Sequence, residues 1–350
     1  MIALLSLLVQ VPTLPVGSKA PELDVPGVDG KRWTLKDFAD KKLLLVVFDT
    51  THCPTSQNYE ERLKKIHEDY AGKGVGMIAI SPNHPQSIRL DELGYTDLDD
   101  TFASMKIRAR DHKIPYPFCF DGEPNQVSQA YGPKATPHCF LFDADRVLRY
   151  QGGVDDSEWT DRVKVNHLRN ALDALLAGQE PPAKETKVFG CSTKWPSKLK
   201  QAEEYTARIQ AEPVTVEEAT AEAVAALRKP STGVRLIHVW SPEKAGGLKS
   251  CTTMYHWYRR RLFEYVPIAV TGDKEAALAG LTSTPPAGKN RNLIATAEAA
   301  KGVDPSWDGA LPLTLVLSAT GEVLYRAQGE IDELACRRAI VRNLKEDRKR

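Results

Sequence analysis

The 350-residue sequence holds six cysteines, and no two of them are spaced as C-x-x-C. Six thiols scattered over this length exclude a disulfide-built scaffold and match no zinc-ligand spacing, so each must be judged by its own surroundings. Charge of one sign is lacking as well: 47 Lys and Arg against 46 Asp and Glu leave a net charge of +1. Such balance argues against broad attraction to nucleic acid or anionic lipid, and Arg259-Arg260-Arg261 reads as the solvated face of a helix. No segment reaches the roughly 18 consecutive apolar residues of a membrane-spanning helix, so no membrane insertion is expected. The apolar start from Met1 to Val11, broken only by Ser6 and Gln10, resembles a signal-peptide h-region without a basic n-region or a clear cleavage motif. Residues 1–17 are therefore read as a leader, which implies a periplasmic or otherwise exported protein; without such a signal the location is cytoplasmic.

Hydrophobic residues make up 42% of the chain and charged ones 27%, the balance of a globular protein with packed cores. The length fits two domains of about 150 residues with a linker between them.

Periodicity supplies the elements. A hairpin is expected around Asp29-Gly30, and the apolar run Leu43 to Phe48 reads as a buried strand. Cys53-Pro54 then opens a helix, since proline suits the first helical turn, and Tyr59, Leu63, Ile66 and Tyr70 recur at helical spacing until Gly72 and Gly74. Val75 to Ile80 completes a β-α-β unit with the cysteine at the helix mouth. The spacing predicts a helix over Asp99 to His112, a strand over Tyr116 to Phe120 and a short helix over Val127 to Tyr131. Strands His138 to Phe142 and Val147 to Tyr150 then form a hairpin, closed by a helix over Val165 to Leu176. Residues 18–178 thus make one domain. Residues 179–231 read as a polar linker bearing Cys191, followed by two short Ala/Glu-rich helices.

Residues 232–350 repeat the order, with strands at Val234 to Trp240 and Val266 to Val270 and helices at Thr252 to Phe263 and Lys274 to Leu281. Leu311-Pro312 leads into strands Thr314 to Leu317 and Val323 to Tyr325, and a helix spans Asp332 to Leu344. Thr136-Pro137, Asp145 and Tyr150-Gln151-Gly152 have counterparts in Leu311-Pro312, Gly321 and Ala327-Gln328-Gly329, so the halves look duplicated.

Phe48-Asp49-Thr50-Thr51-His52-Cys53-Pro54, Thr136-Pro137, Phe142-Asp143, Tyr150-Gln151-Gly152-Gly153-Val154-Asp155-Asp156 and Gly190-Cys191-Ser192-Thr193-Lys194-Trp195 form an ordered set. In these residues the chain resembles the thioredoxin-fold superfamily, in its peroxiredoxin-like (AhpC/TSA, redoxin) branch. The resemblance implies an α/β protein of two tandem thioredoxin-like domains, each a central mixed β-sheet flanked by helices, the second one degenerate. It also implies that Cys53 is a nucleophile and Pro137 a cis-proline facing it, with Pro312 the second cis-proline. Chemistry supports the first role independently, because a helix N-terminus favours thiolate over thiol. A thiolate attacks disulfides and peroxides, so the expected partners are a thiol- or disulfide-containing protein or a small peroxide, with no cofactor.

Departures from these patterns limit the reading. Ser56 stands where thioredoxins carry a second cysteine, so Cys53 needs another partner. Thr50 matches the peroxiredoxin threonine, but Val46 replaces the proline and Pro137 lies where the peroxidatic arginine is expected. Peroxide reduction would then rely on Thr50 or on an arginine such as Arg149, and Thr136 is counted with Pro137 among the site residues. Cys191, on a polar segment beside Gly190, is the first choice for resolving oxidised Cys53; Cys139 and Cys119 read as strand packing. His52 and His138 are placed to stabilise a nearby thiolate or to serve as ordinary hydrogen-bonded histidines. Two further readings use the same residues: copper or zinc held by Cys53, His52, Cys191 and His138, and a non-catalytic protein-binding scaffold. The second half fits the scaffold reading best, because Ser241 to Gly247 carries no cysteine and Cys251 and Cys336 read as packing residues.

Overall fold

The computed structural model describes residues 11–283, 286 and 288–344. The apolar residues 1–10 of the expected leader lie outside the described residues. Residues 12–17 are part of the first unit: Leu14 N donates to Tyr131 O (3.0 Å) and Gly17 N to Leu148 O (2.8 Å).

The chain divides into two compact units, residues 1–88 with 98–199 and residues 89–97 with 200–350. The first contains β1 (Asp24–Pro26), β2 (Arg32–Thr34), β3 (Leu43–Phe48), α1 (Pro54–Ala71), β4 (Val75–Ser81), α2 (Phe102–Asp111) and β5 (Phe118–Phe120). It continues with α3 (Gln126–Tyr131), β6 (Ala135–Thr136), β7 (His138–Phe142), β8 (Leu148–Gly152), α4 (His167–Leu176) and β9 (Cys191–Ser192). The sheet order is β5-β4-β3-β7-β8, parallel from β5 to β3 and antiparallel from β3 to β8. All six residues of β3 are buried because the sheet is covered on both faces. Leu43, Leu45 and Val47 join Tyr59 and Leu63 of α1 and Leu168 and Leu172 of α4, while Leu44, Val46 and Phe48 join Tyr131, Phe140 and the β1–β2 hairpin.

In the second unit α5 (Leu199–Gln210), β10 (Glu217–Glu218) and α6 (Ala221–Ala225) precede β11 (Val234–Trp240), α7 (Leu248–Tyr258), β12 (Phe263–Val270) and α8 (Lys274–Ser283). Then come β13 (Leu293–Ala295), α9 (Ala297–Ala300), β14 (Leu313–Leu317), β15 (Val323–Gln328) and α10 (Glu333–Leu344). The order β13-β12-β11-β14-β15 reproduces that of the first unit, with β10 added beside β13. Each unit is therefore a mixed sheet flanked by helices, with the thioredoxin-like arrangement and a cis-proline, Pro137 or Pro312, just before the antiparallel strand.

Several elements differ from expectation. Residues 179–199 fold with the first unit rather than forming a linker, because β9 pairs with β6. Residues 89–97 belong to the second unit, although the sequence pattern assigned them to the first. Helix α7 ends at Tyr258 rather than Phe263 because β12 begins at Phe263, in register with Val234. The three arginines lie just past α7 and are engaged by specific groups: Arg259 pairs with Glu212 (2.7 Å), Arg260 with Asp91 (2.7 Å), and Arg261 donates to Gly94 O (2.9 Å). The short β13 and α9 gave no period to detect.

Tyr258, fully buried, donates its hydroxyl to Thr96 O at 2.9 Å and so seats the 89–97 segment within its unit. Replacing Tyr258 with Phe removes this buried hydrogen bond and should lower stability by about 1–2 kcal/mol, read as a lower denaturant midpoint. An unchanged midpoint would show that the segment is held by its arginine contacts alone.

Candidate functional site

Cys53 is the residue that caps α1, its backbone extended (φ −67°, ψ 119°) and followed by Pro54 at the first helical position. Its sulfur is fully buried. It donates to Thr136 O at 3.4 Å and accepts from Cys191 N at 3.4 Å. Thr136 faces Cys191 across the β6–β9 pair, so the same two residues form the ladder and hold the sulfur. All six cysteines are free of disulfide bonds in this structure.

The segment that carries Cys191 is fixed, not the flexible loop its composition implied. Thr193 Oγ1 donates to Pro133 O (2.7 Å), Lys194 N to Asn83 Oδ1 (2.8 Å) and His84 N to Lys194 O (2.8 Å). Gly190 has a φ of +140°, and a Cβ there would come within 1.8 Å of Thr136 O. Only glycine lets this strap lie so close to β6.

Electrostatics favour a thiolate at Cys53. Burial, the largest single influence, pushes its pKa up. The Cys191 side chain, a charged His52 and the backbone N–H groups of Ser56 and Cys191 outweigh burial and hold the thiol well below its ordinary range. His52 is prepared for that charge. Burial disfavours its protonation, but Asp100 reverses the balance and raises it, through His52 Nδ1 to Asp100 Oδ2 (2.7 Å) and His52 N to Asp100 Oδ1 (2.8 Å). Asn83 Nδ2 donates to the same carboxylate at 2.7 Å. Burial raises the Asp100 pKa, yet the charge of His52 and these bonds keep it lowered overall.

The other expected residues separate. The Thr50 hydroxyl lies 3.1 Å from that of Thr136, both buried beside the site, and Pro137 follows in a cis peptide. Arg149 is a correction: it sits on β8 bound to Asp143 (2.6 Å) and is not among the main influences on the Cys53 sulfur. His138 is also not a thiolate partner. Buried in β7 and bonded to Gln151 Oε1 (2.8 Å), it has its pKa pushed down to about 4, chiefly by burial, and stays neutral. Cys139 and Cys119 are core thiols that burial pushes far up, as the strand pattern indicated. Among the described residues, no group of three His, Cys, Asp or Glu side chains is placed to hold a metal ion.

In the second unit the equivalent helix starts after Gly247, and Cys251 is buried one turn inside it. Burial raises its pKa well above the ordinary value and raises that of Cys336 to about 12, so both remain thiols. His238 on β11, the counterpart of β3, has its pKa lowered by burial to about 4 and contacts Thr314 Oγ1 at 2.9 Å.

Sequence reasoning missed Asp100, Asn83 and Asp49. Asp100 reaches His52, and Asn83 reaches Asp100, only through tertiary structure, and nothing in their local sequence marks them. Asp49 had a visible sign, a carboxylate directly after a wholly apolar strand.

A thioredoxin-like α/β unit with a cysteine capping its first long helix, opposite a proline-led strand, defines a redoxin-type domain. Residues 16–151 match the AhpC/TSA family. The thiol-disulfide oxidoreductase ResA of Bacillus thuringiensis subsp. konkukian is 26% identical over 132 residues, 38% of this chain and 66% of the relative. The chain thus spans just under two thirds of that curated relative. A hypothetical protein of Sinorhizobium meliloti is similar at 30% identity, over 53% of this chain and 97% of that one, with a TM-score of 0.47. An uncharacterized conserved protein from Geobacillus kaustophilus shares 33% identity over 52% of this chain and 92% of that one, with a TM-score of 0.46.

Burial raises the pKa of Asp49 to about 7; the Ser56 hydroxyl and the Thr50 N–H (2.9 Å) offset only part of this. Because the folded chain keeps this proton from the ordinary carboxylate range up to about pH 7, stability falls as pH rises through that window and is level above it. Asp49→Asn should flatten this slope and be more stable than the parent above pH 7, by up to about 4 kcal/mol, with the difference vanishing in acid. Urea unfolding as a function of pH measures it, and parallel pH profiles would contradict a buried, protonated Asp49.

Proposed function

We propose that this chain is a thiol–disulfide oxidoreductase whose redox pair is Cys53 and Cys191. The observation that carries this reading is the contact of the Cys53 sulfur with the backbone and side chain of Cys191, at the positive end of α1. Two thiols held in contact, one of them stabilised as thiolate, can exchange two electrons with an external disulfide by closing a bond between themselves. Thr136 and Pro137 line this sulfur in our reading, and Thr50 supports Thr136. The names of the ResA relatives point to the same class of chemistry.

Disulfide exchange is favoured over peroxide reduction, since Arg149 is committed to Asp143. The substrates are then thiol- or disulfide-containing proteins or small molecules. An exported location suits this chemistry, because disulfides persist outside the reducing cytosol, and the apolar residues 1–11 support it. The second unit, whose two thiols are buried and protonated, has a non-catalytic role in this reading.

Oxidation of the reduced full chain with oxidised glutathione, followed by peptide mapping, should give a Cys53–Cys191 disulfide and leave the other four thiols unmodified. An unreactive Cys53 would overturn the enzyme reading; a Cys53 bond to Cys139 would overturn the partner. Hydrogen peroxide in a parallel arm should react more slowly. Asp100 acts through His52, so Asp100→Asn should raise the pH midpoint of thiolate ultraviolet absorbance by about one unit or more, while Asp100→Glu retains part of the effect. An unmoved midpoint would show that His52 carries no charge at Cys53.

A further inference from the structure

In the reduced state the two sulfurs of the proposed pair differ sharply in what can reach them. Cys53 has no exposed surface, whereas Cys191 is partly exposed between two exposed residues, Gly190 and Ser192. The strap over Cys53 is pinned along its length by the β6–β9 pair, by Thr193 to Pro133 O and by Lys194 N to Asn83. A substrate that attacked Cys53 directly would have to break these bonds first. One that approached Cys191 would meet a residue that is already partly exposed.

We infer that Cys191 is the sulfur a substrate thiol attacks, with Cys53 the leaving sulfur behind it, so that the oxidised pair donates its disulfide to reduced protein dithiols. This rests on the proposed redox pair and reverses the roles implied by the sequence, in which Cys53 attacks and Cys191 resolves. In the first step the substrate thiolate forms a bond to Cys191 Sγ, the Cys191–Cys53 bond breaks, and Cys53 departs with the electron pair as thiolate. In the second step the other substrate thiolate attacks the substrate sulfur of the mixed disulfide and releases Cys191 as thiolate. The substrate has then lost two electrons and two protons and holds a disulfide, and the pair has gained them as two thiols. An external disulfide oxidant takes up those electrons to restore the pair.

The surroundings of Cys53 suit a leaving group. Exchange is faster when the departing thiol is the more acidic one, and stabilising the reduced form makes a disulfide more oxidising. The charged His52, the first-turn N–H of Ser56 and the N–H of Cys191 all act on the Cys53 sulfur and lower its pKa against the opposing effect of burial. None of this help requires the strap to open, because the Cys191 N–H that stabilises the departing thiolate belongs to the residue under attack.

The test uses the unmodified full chain, oxidised with diamide and freed of reagent, then mixed with a peptide carrying one cysteine. Samples quenched in acid at early times are mapped by mass spectrometry. The expected product is the peptide joined to Cys191 with Cys53 as thiol, in at least about tenfold excess over the opposite adduct. Peptide joined mainly to Cys53 would overturn the inference while leaving the Cys53–Cys191 pair intact. If diamide forms no such pair, or the pair forms and does not react with the peptide, the proposed function falls and this inference with it.

Discussion

The seat of the Cys53 sulfur is the constraint on which the site depends. It is held at 3.4 Å from both Thr136 O and Cys191 N, and these two residues are also partners in the β6–β9 ladder. A short two-stranded pairing therefore does two things at once: it closes the strap over the sulfur and presents a donor to it. The arrangement tolerates no side chain at position 190, where the backbone of Thr136 occupies the space of a Cβ. What reads as a polar loop is thereby a fixed wall of the site.

Enclosing a sulfur in this way opposes its ionisation, and the first unit counters that opposition locally rather than by net charge. Asp100, fixed by Asn83, holds a proton on His52, and His52 together with the first turn of α1 holds charge on Cys53. Asp49, close by but without a basic partner in contact, goes the other way and stays protonated up to about pH 7. Two buried carboxylates thus take opposite states within one site, and the difference is the presence of the imidazolium.

Comparison of the two units shows what the fold alone does not provide. Both have the same strand order and a cis-proline at the same place, yet the second has Gly247 before its helix and its cysteine one turn further in. Moved off the helix end, Cys251 loses contact with the unpaired N–H groups of the first turn and is left with burial, which keeps it a thiol. Whether a cysteine here is stabilised as thiolate is a matter of one position at a helix terminus, not of topology.

Local pattern carried most of the architecture. The apolar run 43–48, Pro54 after Cys53, the helical spacing of Tyr59, Leu63, Ile66 and Tyr70, and the prolines before two strands each encode an element through its own residues, so the duplicated α/β order was legible. Cys53 was legible for the same reason, since a helix start is a local signal. Elements of two to four residues such as β9, β13 and α9 were not, because they contain less than one period of any pattern. The border between units was also hidden, as residues 89–97 pack by contacts with Tyr258 and Arg261 that lie more than 160 positions away. The sequence determined which sulfur meets the helix dipole. Tertiary structure alone decided that Asp100 charges His52, that the segment bearing Cys191 is pinned against β6, and that Cys191 keeps partial exposure where Cys53 has none, because each of these depends on groups brought together from distant parts of the chain.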